Sequence, residues 1–339
     1  MPFNFKTPGL VFFSVAVAGL LIFYVGNSFL VGPSASIKEF DISSGAGFYE
    51  ISNKLAIEDI IRSEIVFEIY ALATNSASQF KPGRYFLPSH ISIPKLVEVL
   101  RNGPPEIAVL IVPGMTAKEI DDKLSSLGII KSGELINFDI TPLEEKYQWL
   151  SLIKDKPKGA GGFLEGFLLP DTYNFFAGSD TNLIVEKFLD NFKSKALTFF
   201  GDYNSLLKTI NLASILEKEV PDYNDRQLVA GILIKRLSVG MPLQADAGLV
   251  YFKCSAKFIN CPGLNQEDYK IDSPYNTYLH GGLPQTAIDN PSLEAIKAAL
   301  NPQKSDYWYY LSDSETQKTI FSKTLDEQNQ NRAKYLLNR

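Results

Sequence analysis

The sequence predicts an α+β protein with three parts: an N-terminal transmembrane helix, a small αβ module and a larger, helix-rich α+β domain. Residues 9–31 carry no charged side chain, which predicts the transmembrane helix. Residues 45–63 align without gaps on residues 114–132, which indicates a repeated βα unit. Several segments with helical apolar periodicity follow residue 181, and together they predict a helix-rich second half.

The boundaries of these parts follow from the same observations. We place the cytoplasmic stub and transmembrane helix at 1–35, the αβ module at 36–110 and the larger domain at 111–339. The second copy of the repeat, at 114–132, then belongs to the larger domain. A chain of 339 residues is long enough for two or three such parts.

Composition narrows the chemistry available to the chain. The net charge is −5, which gives no basic surface for nucleic acid, so no nucleic-acid partner is expected. Two histidines and two cysteines are too few for a zinc framework, and we expect neither a metal nor a cofactor. Any catalysis would therefore rest on carboxylates.

The uncharged segment is longer than the roughly 20 apolar residues that a bilayer requires. Lys6 precedes it, whereas Lys38 after it is accompanied by Glu39 and Asp41. The positive-inside rule then predicts a single-pass anchor in the inner membrane, with the N-terminus in the cytoplasm and the rest of the chain in the periplasm. Cleavage of the segment as a signal peptide is the alternative, because residues 33–36 resemble a cleavage site.

Each copy of the repeat is predicted as an extended entry, a glycine turn and an amphipathic helix. Between the copies, residues 81–87 are predicted as a turn leading into a strand and residues 92–100 as a helix, with Pro94 in its first turn. Small modules of this kind outside a membrane often bind or act as spacers, and this one has no pattern of catalytic residues.

A strongly apolar helix carries two carboxylates in its last turn, Glu217 and Glu219. Apolar residues surround nearly the whole helix, so we expect it to be buried. Burial and the negative end of the helix dipole would both raise the pKa of Glu219 toward the range of a general acid. A salt bridge from either glutamate to Lys218, Lys235 or Arg236 is the structural alternative.

Polar residues in turn-rich segments supply further candidates. The segments are 163–175, 241–247 and 273–284. Polar groups on a rigid loop are typical of a binding site, and tyrosines beside an asparagine suit the faces and hydroxyls of sugars, although each segment is also consistent with an ordinary loop. The candidates are Glu165, Gln244, Asp246, Tyr275, Asn276 and Tyr278.

Cys254 and Cys261 flank a short loop on the expected outer side of the membrane. A disulfide between them suits that compartment, and two free thiols are the alternative. The spacing alone does not decide between these states.

Taken together, the motifs of the second half resemble the endolytic murein transglycosylase family (MltG, YceG-like). The matching stretches stand in the family's order: LEGFLLPDTYNF at 164–175, LASILEKEV at 212–220, RLSVGMPLQAD at 236–246, YNTY at 275–278, GLP at 282–284 and AIDNPS at 287–292. The apolar N-terminal segment and the repeat fit the family's layout, in which 36–110 is a LysM-like module and 111–339 the catalytic transglycosylase domain.

The resemblance implies a lyase that cuts nascent peptidoglycan strands internally, between N-acetylmuramic acid and N-acetylglucosamine. The product is a 1,6-anhydromuramyl end, and the cut ends strand elongation. The expected partners are peptidoglycan glycan strands, the inner membrane and, by resemblance only, peptidoglycan synthases. The chain departs from many relatives at Val220, Gln285 and Thr319, where Thr or Gly, Pro and His are common. Because of the last departure we assign no site role to the C-terminal segment.

The resemblance maps the essential glutamate onto Glu219, as acid and then base. Residues two apart on a helix point to nearly opposite sides, so Glu217 is expected to orient the site rather than share the chemistry. Glu165, Gln244, Asp246, Tyr275, Asn276 and Tyr278 are expected to hold saccharide or to support the reaction. Two rivals are a hydrolytic muramidase that pairs Glu219 with Glu165 or Asp246, and a membrane-tethered wall-binding scaffold without activity.

Overall fold

The structure is a computed structural model, and it is described here over most of the chain. The described residues are Gly26, 37–154, 157–313, 316 and 318–337. Apart from Gly26, the predicted transmembrane segment lies outside these residues. Within them, no helix has both the length and the apolar character needed to cross a membrane.

The described residues form two compact units. The first contains the chain up to Ile107 together with Phe175–Asp180, and the second contains Ala108–Asn174 together with the chain from Thr181 onward. The predicted mixed α+β architecture is confirmed, since helices dominate and the strands form three two-stranded sheets. The domain boundaries at 36–110 and 111–339 remain predictions.

The first unit is built around one antiparallel strand pair. Its elements are β1 (Ile37–Ile42), α1 (Phe48–Ile57), α2 (Glu64–Ala73), β2 (Gly83–Pro88) and α3 (Ile93–Asn102). Ile37 lies opposite Pro88 and Ile42 opposite Gly83 in the pairing of β1 with β2. Alternate strand residues such as Phe40 and Tyr85 are buried with apolar helix residues, as expected for a sheet with one covered face.

The second unit is mainly helical. Its elements are β3 (Glu106–Ile111), α4 (Ala117–Ser126), α5 (Ser151–Lys154), β4 (Asp171–Phe176), α6 (Thr181–Lys195), α7 (Leu206–Glu219), α8 (Tyr223–Ser238), α9 (Asp246–Lys253), α10 (Leu293–Leu300), β5 (Tyr309–Ser312), β6 (Thr319–Ser322) and α11 (Leu325–Arg332). β3 pairs with β4, and β5 pairs with β6 as an antiparallel hairpin. The first two residues of β3 and the last two residues of β4 belong to the first unit.

The sequence repeat corresponds to a structural repeat. β1 and α1 recur as β3 and α4, each with an offset of 69 residues. In the second copy, Thr116 Oγ1 accepts the N–H of Glu119 at 3.0 Å and the Glu119 carboxylate accepts the N–H of Thr116 at 3.1 Å. This capping box fixes where the helix begins. The predicted strand–turn–helix structure of both copies is confirmed.

The predicted buried helix is α7, which packs against α8 and α10. Nine of its fourteen residues are buried. The turn at Gly166 lies against it, and a Cβ there would come within 2.6 Å of Ile210 Cγ2 and 2.9 Å of Ala287 Cβ. Gly166 also has a φ of +94°, so the turn requires glycine for two reasons. This close approach brings the 163–175 segment onto the helix that carries the glutamates.

The two cysteines are joined. Cys254 directly follows α9, and it forms a disulfide with Cys261 across a Cα–Cα distance of 5.9 Å. The structure therefore decides between the two states that the spacing left open.

Candidate active site

Glu219 is the last residue of α7, and its carboxyl faces the first turn of α9. The backbone N–H of Ala247, the second residue of α9, donates to this carboxylate. Tyr310 Oη lies 3.5 Å from Glu219 Oε2, the outer limit of a hydrogen bond. The Glu219 backbone carbonyl accepts Ser312 Oγ at 2.8 Å, which fixes the end of the helix. A half-buried carboxyl with these sparse contacts keeps the capacity to bond a ligand.

The electrostatic surroundings hold Glu219 near the middle of its titration at neutral pH. Burial raises the pKa of Glu219 to about 7, and the nearby charge of Asp246 raises this pKa as well. The Ala247 N–H and the Tyr310 hydroxyl act in the other direction, because both stabilise the ionised carboxylate. A group with a pKa near 7 can give and take a proton without a large free-energy cost in either direction.

Asp246 begins α9 beside Glu219, and Tyr278 holds it in place. Tyr278 Oη donates to Asp246 Oδ1 at 2.7 Å. The loop before α9 is fixed by Thr277, whose backbone oxygen accepts Gln244 N–H at 3.2 Å and whose Oγ1 accepts Ala245 N–H at 2.9 Å. The motifs at 236–246 and 275–278 therefore meet at Glu219, and their bonded residues are 32 or 33 positions apart.

The hairpin β5–β6 contributes the residue that the sequence analysis missed. Tyr310 comes from β5, and burial together with the negative charge of Glu219 raises its pKa well above the usual range, so the phenol stays a proton donor. The positive charge of Arg236 is close enough to act on Tyr310, and its guanidinium lies 5.2 Å from the ring centre of the adjacent Tyr309. The run of aromatic residues at 307–310 is the sequence signal for this contribution.

Glu217 faces away from Glu219 and serves the structure. Its Oε1 accepts Arg226 Nη2 at 3.0 Å, and its Oε2 accepts the Ser292 N–H at 2.9 Å and the Ser292 hydroxyl at 2.5 Å. Both charged side chains of this pair are 7% exposed. The two glutamates bond different partners, as predicted for residues two apart on a helix, and within the described residues the bonds of Glu217 go to Arg226 and Ser292. That Glu217 orients the site stays a prediction. Its ion-pair partner comes from α8 and is none of the three basic residues expected from the sequence.

Glu165 is buried at a place separate from Glu219. Its Oε1 accepts Ala117 N–H at 2.8 Å and Asn290 Nδ2 at 3.1 Å, and its Oε2 accepts Tyr251 Oη at 3.1 Å. Burial raises the pKa of Glu165 to about 8 despite these donors. Tyr251 lies in α9 more than one turn beyond Asp246, so Glu165 and Glu219 meet different parts of this helix. The structure does not place Glu165 at the Glu219 site.

Two of the predicted saccharide-binding residues point into the protein. Tyr275 is 5% exposed, and its hydroxyl lies 2.8 Å from Thr286 Oγ1. Asn276 is fully buried, and its Nδ2 donates to the carbonyls of Tyr269 and Ile271 at 3.0 and 2.8 Å. These side chains shape the loop from within, and this differs from the expectation that they contact sugar.

In contrast to Tyr275 and Asn276, Gln244 is exposed at the tip of its loop, where its φ is +55°. Of the predicted set, the structure therefore brings Asp246, Tyr278 and the Gln244 loop to Glu219. Within the described part of the chain, no three His, Cys, Asp or Glu side chains are grouped as a metal site would require.

Comparisons with known proteins agree with this arrangement of motifs. The YceG-like family model matches residues 40–334. The chain is 29% identical over 335 residues to a protein of Bacillus subtilis named endolytic murein transglycosylase, and the match covers 92% of this chain and 91% of that relative. A Streptococcus pneumoniae protein of the same name is 28% identical over 320 residues, with 87% of this chain covered but only 58% of the longer relative.

A solved structure shows the same fold. The crystal structure of a yceG-like protein from Listeria monocytogenes superposes with a TM-score of 0.56 at 26% identity and covers 87% of this chain and 100% of that chain. The family match extends through both compact units and includes Glu219, Asp246 and Tyr310. The resemblance inferred from the motifs is confirmed, and the chain belongs to the YceG-like family.

Proposed function

We propose that the chain is an endolytic murein transglycosylase. It cuts nascent peptidoglycan strands between N-acetylmuramic acid and N-acetylglucosamine, leaves a 1,6-anhydromuramyl end and so ends strand elongation. The names of two curated relatives support the substrate and the activity. The observation that carries the proposal is Glu219, one half-buried carboxyl whose pKa lies near 7.

The reaction needs one group that acts first as acid and then as base. Protonated Glu219 gives its proton to the glycosidic oxygen as the bond to the anomeric carbon breaks. The carboxylate then takes the proton of the muramyl 6-hydroxyl while that oxygen bonds to the same anomeric carbon. No water is consumed, and Glu219 ends in its starting form. A pKa close to 7 suits both steps.

The neighbours of Glu219 favour one or the other of its two states. Asp246 favours the protonated acid, because a second negative charge nearby disfavours ionisation. The first turn of α9 and Tyr310 favour the carboxylate through the Ala247 N–H, the positive end of the helix and the phenol. Tyr278 limits the movement of Asp246, and Gln244 lies where it can contact saccharide.

A hydrolytic muramidase is the second candidate because Asp246 lies beside Glu219. Such an enzyme needs a second carboxylate across the sugar to activate water or to bond the anomeric carbon. Asp246 already accepts Tyr278 Oη, and the other candidate, Glu165, is enclosed with three donors. These contacts favour the single-carboxyl mechanism.

The proposed location follows from the sequence. We place the chain as a single-pass protein of the inner membrane, with the catalytic domain on the periplasmic side where nascent strands lie. The LysM-like module at 36–110 would contact the wall or hold the catalytic domain away from the membrane. Peptidoglycan synthases are the proposed partners, since they make the strands that this reaction ends.

The nature of the new strand end tests the proposal. The full chain in detergent micelles is incubated with purified peptidoglycan strands, and the products are measured by mass spectrometry. We expect ends lighter by one water than reducing ends, and we expect them to disappear with Glu219→Gln. Glu294→Gln, which changes an exposed glutamate of α10, is the matched control and should cleave like the wild type.

Other products would lead to different conclusions. Reducing ends lost with both Glu219→Gln and Asp246→Asn would identify a hydrolase with two carboxylates. Strand binding without any new end would leave the inactive scaffold as the function.

A further inference from the structure

A cavity of about 740 Å³ lies beside the N-terminal half of α7, away from Glu219. It is bounded by residues of α7, by the segment 162–167 and by the segment 283–287, and we call it the α7 cavity. Its walls are mainly apolar, with Phe163, Leu207 and Ile210 among them. A volume of this size accommodates several residues of a peptide or a comparable small ligand.

Two polar side chains of α7 line the α7 cavity, Asn211 and Lys208. Asn211 is 7% exposed, its Nδ2 donates to the Pro284 carbonyl at 2.6 Å and its Oδ1 is covered by protein, so it holds the segment 283–287 against α7. Lys208 is exposed at the rim and forms no ion pair within the described part of the chain. A lysine beside apolar walls attracts an anion.

These features select the class of ligand. A bare sugar would bury its hydroxyls against apolar walls without partners, which is costly. A hydrocarbon chain would fill the walls but would offer no anion to Lys208. A short peptide supplies small apolar side chains and a carboxylate together. The α7 cavity is therefore suited to a peptide.

Three chain segments link the α7 cavity to the Glu219 site. On α7, Lys208 and Glu219 are eleven residues apart, which places them within about 20° of each other and about 16 Å apart along the axis. A second segment runs from Leu237 in the cavity wall to Asp246, and a third from Tyr278 to Leu283. An extended peptide of five residues spans about 17 Å, which matches this separation.

We propose that the α7 cavity binds the peptide attached to the muramic acid of the strand being cut. This inference rests on the proposed function and adds a second recognition element to it. Glu219 would act on the glycan, while Lys208 would bind a carboxylate of the peptide that is attached to the same sugar. The enzyme would then distinguish strands that still carry peptides from strands that have lost them.

The preference between two substrates tests this inference. The full chain in detergent micelles is incubated separately with peptide-bearing strands and with strands whose peptides have been removed by an amidase. The value of kcat/KM is measured for each substrate. We expect the wild type to prefer peptide-bearing strands about tenfold, the effect of about 1.4 kcal/mol of extra binding. Lys208→Glu should bring this ratio near one. Lys208→Arg should keep it, as should Lys304→Glu, which changes an exposed lysine away from the cavity.

Direct binding provides a second measurement. The free peptides released by the amidase are titrated calorimetrically into the full chain, and we expect Lys208→Glu to weaken their binding about tenfold. A wild-type ratio near one, a ratio that Lys208→Glu leaves unchanged, or peptide binding equal in wild type and Lys208→Glu would overturn the inference.

The two proposals fail in distinguishable ways. If neither strand gains anhydro ends, the proposed transglycosylase activity is wrong, and the calorimetric titration alone still decides whether the cavity binds peptide. If both strands gain anhydro ends equally well, the activity stands and the peptide site is wrong.

Discussion

Glu219 and Glu165 are two carboxyls of the same unit whose pKa values are raised by the same cause, yet their surroundings differ in kind. Glu165 is 3% exposed and accepts hydrogen bonds from a backbone amide, an asparagine and a tyrosine. Glu219 is half-buried, with one backbone donor and a distant phenol. A raised pKa therefore does not identify the reactive group by itself. The free capacity to bond a substrate separates the two.

The largest expected effect is the loss of Glu219. Glu219→Gln keeps the shape but cannot transfer a proton, so we expect the cleavage rate to fall by about 10³-fold, within the usual range for general acid–base catalysis. Single-turnover assays on peptidoglycan strands measure this change, and a melting temperature near that of the wild type would confirm the fold. Retention of more than a tenth of the activity would mean that Glu219 is not the proton donor.

Glu217→Gln should affect stability far more than chemistry. The substitution leaves Arg226 buried with its charge unpaired, which costs about 3 kcal/mol. We expect a clearly lower melting temperature, with most of the activity retained by molecules that remain folded. Thermal unfolding beside Glu294→Gln checks this. A stable Glu217→Gln protein that had lost activity would instead place Glu217 in the chemistry.

Glu165 should appear in the pH dependence of stability. Its pKa is about 8 in the folded protein and lower in the unfolded chain, so the folded state binds the extra proton between these values. Its contribution to stability is therefore complete at low pH and is lost as pH rises toward 8. The Glu165→Gln variant lacks this loss of stability. Its melting temperature should therefore rise relative to that of the wild type as the pH increases from 5 to 9.

The melting temperatures of both proteins should still depend on pH because of Asp289, whose pKa is also raised by burial. The test is consequently the difference between the two curves. Curves that stay parallel across this pH range would mean that Glu165 is ionised in its pocket at neutral pH.

The smallest expected effects are shifts in the pH dependence of cleavage. The protonated acid is lost as pH rises, so kcat/KM should fall above about pH 7. Asp246→Asn removes a charge that raises the pKa of Glu219 and should move this fall to lower pH. Tyr310→Phe removes a hydrogen bond that lowers the same pKa and should move it to higher pH. Shifts in the same direction for both variants would contradict the assigned roles.

The sequence predicted those parts of the structure that depend on local pattern. The buried α7, the strand–turn–helix repeat and the opposite directions of Glu217 and Glu219 all follow from periodicity over a few turns. The roles of Tyr310 and Asn290 could not be obtained this way, because each meets its carboxyl across roughly a hundred residues. The inward orientation of Tyr275 and Asn276 was missed for a related reason, since a turn-rich sequence does not show which side of a loop faces the protein.

Asn290 has a consequence for how the chain acquires its structure. Its side chain joins Met115, Gly166, Leu168 and Glu165, across separations of 122 to 175 residues. Such contacts form only after a long loop has closed, whereas β1 and β2 pair within about fifty residues. During synthesis the first strand pair can therefore form well before Glu165 is enclosed. Until residue 290 has been synthesised, Glu165 lacks its hydrogen bond from Asn290, so completion of the pocket around it is a late step of folding.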